Sequence, residues 1–457
     1  MNTRKVITLL VTLLTLSSLV LSGCGAPAAT EAPAPVEQPA EAPAAAPTEV
    51  PPTAVPTAEP VTLVYWSMWN EDEPMGQVMK QAIDAFKADH PNVTIEVTWQ
   101  GRGVRKLFTA AIDSGTVIDL IDNDTGRLAL SWGEKYILGL DSYLTQPAIG
   151  TDGKTVAETI YPLLLNQYKT KDSSSIASVP FNPYVNLWFY NKAHFEEAGV
   201  TQVPTTFEEW MAANEKLKAA GHSAFTYDAD SYADIMAGDS AQRYVGCEAF
   251  NAAMTDKTGA AWQTPAFVQW AKDMEAFSAY AAPGTAANIY PAGQQALALG
   301  DVTMMYNGTW MPSEVAATAG ADFQWGGFSW PAATGGVGTI NDYDMGSQGM
   351  AITKVSQHPD VAFEFIKYVV SKDIQTAVTN VGYASSLVDV PWTGPIADAY
   401  PLMKNATTAY GWACGGWDTG DFFANDLLPT FTDLITGKIT ADAFLTQMEE
   451  KAKVNIK

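Results

Sequence analysis

From Tyr184 to Tyr190 the chain reads Tyr-Val-Asn-Leu-Trp-Phe-Tyr, residue types that favour strands. The run is too continuous for a strand with one face in water, so it is expected to be buried on both sides. Such a strand belongs inside a sheet that carries a layer on each face. Asn191 and Lys192 end it, and Gly199 and Pro204 punctuate the loop that follows. Thr205-Thr206-Phe207-Glu208 then reads as a capping box, with Glu208 reaching back to the start of a helix. Phe207, Trp210, Met211 and Leu217 fall roughly on one face of that helix.

Strands and helices also alternate upstream. Val61 to Trp66 reads as a buried first strand with the loop Ser67–Asn70 at its carboxyl end. A helix follows to about Asp89, with Asn70 as its cap, and His90-Pro91 stops it. Val93, Ile95, Val97 and Trp99 alternate with Thr94, Glu96 and Thr98, the period of a strand. Val104–Asp113 reads as a helix, and Ile118–Ile121 as a short buried strand ahead of Asp122-Asn123-Asp124. This order predicts an α/β fold with a mainly parallel sheet. Ligands sit beyond the carboxyl ends of such strands. The loops Ser67–Glu71 and Asp122–Arg127 are therefore suspects for a binding site, with Trp69, Asn70, Asp122, Asn123 and Asp124 as its residues.

The amino-terminal end has a different character. Arg4 and Lys5 precede the apolar run Val6–Val20, the pattern of an export signal over residues 1–23. Leu21-Ser22-Gly23-Cys24 resembles a bacterial lipobox, which implies that Cys24 is acylated and becomes the new amino terminus. Two acyl chains give stable anchoring where one is marginal. Residues 24–60 form a Pro/Ala-rich tether, with ten prolines between Gly25 and Pro60 and no periodicity from which to build a core. At ~3.1 Å per residue such a chain reaches on the order of 100 Å.

The 457 residues carry a formal charge of −24, which disfavours nucleic acid and anionic membrane surfaces as partners. Four His and three Cys show no metal-ligand spacing, so no metal is expected. Nucleophile-elbow, zinc-protease, phosphate-loop and dinucleotide motifs are absent from the sequence, and no cofactor is expected. Fifty acidic residues make carboxylate pairs inevitable, so such pairs are no evidence for a glycosidase.

Several segments together resemble a family. Pro180-Phe181-Asn182, Leu187 to Lys192, Ala198-Gly199-Val200, Val203-Pro204 and Glu208-Glu209-Trp210 follow the order of the crossover segment in bacterial extracellular solute-binding proteins of the sugar-binding, maltose-binding-like type (family 1). Ala110 to Ile121 with Gly133 to Leu144, Gly293 to Trp310, and His358 to Ile366 resemble further blocks of that family. The likeness runs from about Val61 to Ile456. It implies a two-lobed periplasmic-binding-protein-like fold (type II), with hinge-linked lobes that each hold a central sheet flanked by helices. Residues 61–183 and 348–385 would form lobe 1, and 184–347 and 386–457 lobe 2. It implies a receptor, not an enzyme, that delivers a mono- or oligosaccharide to the permease of an ABC transporter by closing its cleft. Such a protein would be a monomer, lipid-anchored on the outer face of the cytoplasmic membrane.

Sugars present apolar C–H faces that suit aromatic rings and hydroxyl edges that suit amides and carboxylates. The resemblance places Asp122, Asn123 and Asp124 at sugar hydroxyls and makes Trp310 the first choice for a stacking platform. Asn182, Tyr184, Tyr343, Gln348 and Trp417 complete the expected ligand-binding set. Trp66, Trp330 and Trp412 are further aromatic candidates, with Trp66 and Trp412 read as core, as is Trp188. Other readings are a secreted carbohydrate-active enzyme, or the same fold binding a peptide, polyamine or organic anion. Few basic residues fall at the predicted loop positions, Arg127 being one, which argues against an anion. With Cys24 lipidated, Cys247 and Cys414 remain, either as a disulfide in an oxidising location or as two buried thiols.

Overall fold

The computed structural model describes residues 59–456. The expected signal, the lipid site at Cys24 and nearly all of the tether lie outside the described residues. Strand β1 (Val61–Ser67) runs parallel to β2 (Val93–Trp99) on one side and to β3 (Leu120–Asp124) on the other. Parallel neighbours need a crossover, and helix α1 (Pro74–Asp89) supplies it between β1 and β2. Met75, Val78, Met79, Ala82, Ile83 and Phe86 recur at three- and four-residue steps and are buried. In β2 the buried Val93 and Ile95 alternate with the exposed Thr94 and Glu96, which suits an edge strand.

Strand β4 (Val179–Asn191) is buried along its whole length except at Tyr184, as its continuous apolar run predicts. Its first half pairs antiparallel with β8 (Asp342–Ile352), with a register shift between Pro180 and Asn182. Its second half pairs with β6 (Met304–Gly308) and β7 (Trp325–Phe328). The short strands β5 (Phe225–Thr226) and β9 (Thr408–Tyr410) extend the sheet from β6 and β8. The order along the main path is β2-β1-β3-β8-β4-β6-β5.

Two hydrophobic cores lie along this sheet. The first gathers Leu63, Tyr65, Phe86, Phe108, Ile352 and Phe363, and the second Trp188, Trp210, Trp270, Phe277, Trp330 and Phe431. Two strands pass from one to the other. Val179 and Phe181 of β4 pack in the first core and Val185 onward in the second. Tyr343 and Met345 of β8 pack in the second core and Met350 to Ile352 in the first. Farther on the chain alternates between the cores: Ala384 packs in the second, Leu387 and Val390 in the first, and Trp392 in the second.

Three local expectations shift. The capping box uses Thr206 and Glu209 rather than a pairing with Glu208, because the helix starts at Phe207 and Glu209 is its third residue. Asn70 does not cap α1, which begins at Pro74 after Glu73; its side chain donates to Glu73 Oε1 at 2.6 Å. Strand β3 runs on through Asp122, Asn123 and Asp124, which pair with Met350, Gly349 and Gln348 of β8. Those three residues are strand, where a loop was expected.

Candidate functional site

A cavity of about 480 Å³ opens beside the stretch where β4 and β8 leave one core for the other. Small-molecule sites span ~300–1,000 Å³. The first core's strands deliver their residues at their carboxyl ends, as the fold rule requires. Met68 and Trp69 follow β1, Arg102 and Arg105 follow β2, and Asp124 and Arg127 come from the end of β3 and just beyond it. On the second core's side Thr309, Trp310 and Glu314 follow β6, and Trp412 follows β9. Asn182, Pro183 and Tyr184 of β4 and Gln348 of β8 lie between them. Tyr168, Tyr383 and Ala384 complete the lining.

Aromatic rings dominate the second-core side. Trp310 and Trp412 lie nearly parallel, with centroids 5.8 Å apart and 19° between planes. Tyr184 meets both edge-on, at 5.3 Å and 6.1 Å. Glycines make room for these rings. A Cβ on Gly308 would fall inside the Trp310 ring, and one on Gly346 would meet the Tyr184 ring across the strand pair. Across the cavity Trp69 packs edge-on to Tyr383 at 5.9 Å, and the Arg102 guanidinium stands 4.7 Å from its ring centroid.

Polar groups stand among the rings. Asp124 Oδ1 accepts from the Arg127 backbone N–H at 3.0 Å, and burial holds its carboxyl above the usual range. Glu314 is likewise raised by burial, while Gln294 donates to it at 2.9 Å. Arg102 donates to the Met68 carbonyl at 3.0 Å and forms an ion pair with Glu73 at 2.7 Å. Burial and the nearby Arg127 charge lower the affinity of Arg105 for its proton. Trp69 Nε1, Arg127 Nε and Gln348 Oε1 find no hydrogen-bond partner among the described residues. Buried polar groups normally do, so partnerless atoms at a cavity are suited to a ligand's hydroxyls or charge.

Of the residues expected from sequence, Trp69, Asp124, Asn182, Tyr184, Trp310 and Gln348 come together here. The others do not. Asp122 and Asn123 are fully buried in β3. The Asp122 carboxylate accepts from the Met68 N–H at 2.8 Å and so shapes the loop that carries Trp69. Burial pushes its pKa to about 7, against the lowering effect of those hydrogen bonds. Tyr343 sits in the second core, as does Trp330. Asn70 is turned to Glu73 and solvent. Trp417 is 52% exposed and does not line the cavity; its indole N–H shares Asp234 Oδ2 with that of Trp412. Asp234 therefore holds Trp412 in place.

Sequence reasoning missed Arg102, Arg105, Tyr168, Glu314 and Tyr383, and read Trp412 as core. The carboxyl-end rule, applied to β2 as it was to β1 and β3, points at Arg102 and Arg105. The tail residue Trp412 carries no comparable signal. Cys247 and Cys414 are joined by a disulfide with their Cα atoms 5.1 Å apart, which ties down the segment just after Trp412. Among the described residues no group of three His, Cys, Asp or Glu could hold a metal ion. No helix there is long and apolar enough to cross a membrane.

Comparison with known proteins places this geometry. Residues 70–376 match the family described as bacterial extracellular solute-binding protein. A multiple sugar-binding protein of Streptococcus mutans is 26% identical over 165 residues, which is 36% of this chain and 36% of that one. The match thus spans about a third of that relative's length. The apo-form of RafE from Streptococcus pneumoniae superposes with a TM-score of 0.68 at 19% identity, covering 88% of this chain and 99% of that one. The bacterial solute receptor AcbH, described as having an exclusive preference for β-D-galactopyranose, gives a TM-score of 0.68 at 16% identity, covering 87% and 100%. These structural likenesses establish the fold: two lobes about a mixed α/β sheet.

Proposed function

Because the chain belongs to the bacterial extracellular solute-binding protein family, we propose that it is a carbohydrate receptor serving an ABC importer. It takes a mono- or oligosaccharide into the cavity beside β4 and β8 and signals loading by closing one lobe on the other, a hinge motion. The observation that carries this reading is the pairing of aromatic faces with polar groups around one cavity. Trp310, Trp412 and Tyr184 suit the C–H faces of a pyranose, while Asp124, Asn182 and Gln348 suit its hydroxyls. The names of the similar proteins, a multiple sugar-binding protein and a galactopyranose receptor, support a sugar as ligand.

The lobes in this reading are 61–183 with 348–385, and 184–347 with 386–457. The protein acts outside the cytoplasm as a monomer, held by lipid on Cys24 at the end of its tether. Mass spectrometry of the membrane fraction checks the anchor: an acylated amino terminus at Cys24 is expected, and membrane retention of Cys24→Ser would count against it. A thermal-shift screen over mono- and oligosaccharides checks the receptor. A ligand at 100 times its dissociation constant stabilises by ~2.7 kcal/mol, a readable shift. A screen with no stabilising saccharide would reject the sugar reading and return peptides and polyamines to consideration. New reducing ends on incubation with oligosaccharides would favour the carbohydrate-active enzyme instead.

A further inference from the structure

The chain has five arginines, Arg4, Arg102, Arg105, Arg127 and Arg243. Three of them line the one cavity described above, and no lysine joins them. In a chain of formal charge −24 this concentration calls for a local cause. The two kinds of arginine differ in what they meet. Arg243 is buried in the second core and saturated: its guanidinium donates to the Trp330 and Asp342 carbonyls, to Ser329 Oγ and to Gln242 Oε1. Arg102 is neutralised by Glu73 at 2.7 Å. Arg105 and Arg127 have neither arrangement. Among the described residues neither forms an ion pair with a carboxylate, and Arg127 Nε is buried without a partner. The Arg127 charge disfavours the charged form of Arg105, and Asp124 offsets that only in part. A guanidinium fork matches a planar carboxylate and, being weakly hydrated, is the cation suited to meeting one in a partly buried site.

Resting on the receptor reading, we propose that the ligand is an acidic saccharide, whose uronate carboxylate seats between the guanidinium groups of Arg105 and Arg127 while its ring faces the Trp310–Trp412 wall. The expectation drawn from sequence, that few basic residues near the site disfavour an anion, is thereby reversed. It counted loop positions, and Arg105 stands on the helix that follows β2. Asp124, whose Oδ1 accepts from the Arg127 backbone N–H at 3.0 Å, lines the same cavity, and burial raises its carboxyl above the usual range.

Calorimetric titration with matched pairs tests it: oligomers of galacturonic or glucuronic acid, their carboxyl-reduced neutral counterparts, and a sulfated counterpart. The uronate form should bind ~10- to 100-fold more tightly than the neutral one, the scale of one charge-assisted contact. Its affinity should fall as salt is raised. Arg105→Gln, on an exposed helical position, and Arg127→Gln should each erase most of the preference; Arg105→Gln still reports if Arg127→Gln fails to fold. Neutral saccharides binding as tightly as uronates would overturn the inference and leave the sugar receptor standing, the arginines then serving hydroxyls. Binding of the sulfated but not the uronate form would also overturn it. Binding of none of them would overturn both the inference and the sugar reading.

Discussion

Trp310 and Trp188 are both indoles at strand β6 or its neighbour, in contrasting surroundings. Trp188 is fully buried and packs on Trp210, Tyr306 and Trp330. Trp310 is half-buried at the cavity. Laying a pyranose face on it removes apolar surface on the scale of one large side chain, of which ~2 kcal/mol is a fair share. Trp310→Ala should therefore weaken saccharide binding ~30-fold. The denaturant melt of the same variant should move far less than the ~3–5 kcal/mol expected of a core tryptophan such as Trp188→Ala. Retained affinity with a collapsed melt would make Trp310 a core residue. A second residue-scale effect comes from Asp122, whose buried carboxyl titrates at about 7, joined by Asp239, also raised to about 7 by burial. Both are raised, so between about pH 4 and pH 7 the folded chain keeps protons the unfolded chain has lost. Stability is then greatest on the acid side and is lost as pH rises, by up to ~1.4 kcal/mol per pH unit for each group. Glu134, lowered to about 2 by backbone N–H donors, acts only below its ordinary range and does not enter this window. Urea melts at pH 5 and pH 8 should show the greater stability at pH 5; equal or reversed values would mean that neither carboxyl keeps its proton in the folded chain.

At the scale of elements, the site is built where strands and loops approach more closely than side chains normally allow. Tyr184 of β4 lies directly across from Gly346 of β8, and its ring occupies the space a Cβ at 346 would need. Gly346→Ala should cost ~1–3 kcal/mol through overpacking. Adding Tyr184→Ala should recover most of that loss, a coupling that a double-mutant cycle reads directly. Failure to recover would place the strain elsewhere. The segment after Trp412 is held in a similar way. Ala413 and Cys414 adopt left-handed backbone conformations, Gly238 of the facing helix leaves room for Ala413, and the disulfide closes the arrangement. Cys247→Ser with Cys414→Ser should lower stability by ~2–5 kcal/mol and weaken saccharide binding, because the segment adjoining Trp412 loses its tie. Thiol counting on the denatured, unreduced chain should find neither cysteine free; two free thiols would remove the basis of this prediction.

Element by element, much of this was legible. The apolar run of β4 and the alternation of β2 read directly, because period is local. The end of β3 did not. Asp122, Asn123 and Asp124 are poor strand residues by type, and only pairing with β8, more than two hundred positions away, makes them strand. That long-range pairing sends Asp122 and Asn123 inward and leaves Asp124 alone at the cavity.

For the whole molecule, the two cores joined by β4 and β8 explain why one cavity gathers residues from Met68 to Trp412. The sequence reading anticipated the two-lobed α/β fold, because family motifs recur in order along the chain. It anticipated about a third of the cavity lining. Residues at strand ends were found by rule, whereas Tyr168 and Tyr383 follow helices and Trp412 follows a short strand in the tail, in connections whose course no local pattern specifies. On the proposed reading this cavity binds a saccharide and leaves it chemically unchanged. Isothermal titration of the folded chain with the saccharide selected by thermal shift, followed by chromatographic recovery of that saccharide, tests it most directly. One saccharide bound per chain, lost in Trp310→Ala and recovered intact, is the predicted result. Heat unchanged by Trp310→Ala, or recovery of shortened products with new reducing ends, would contradict it.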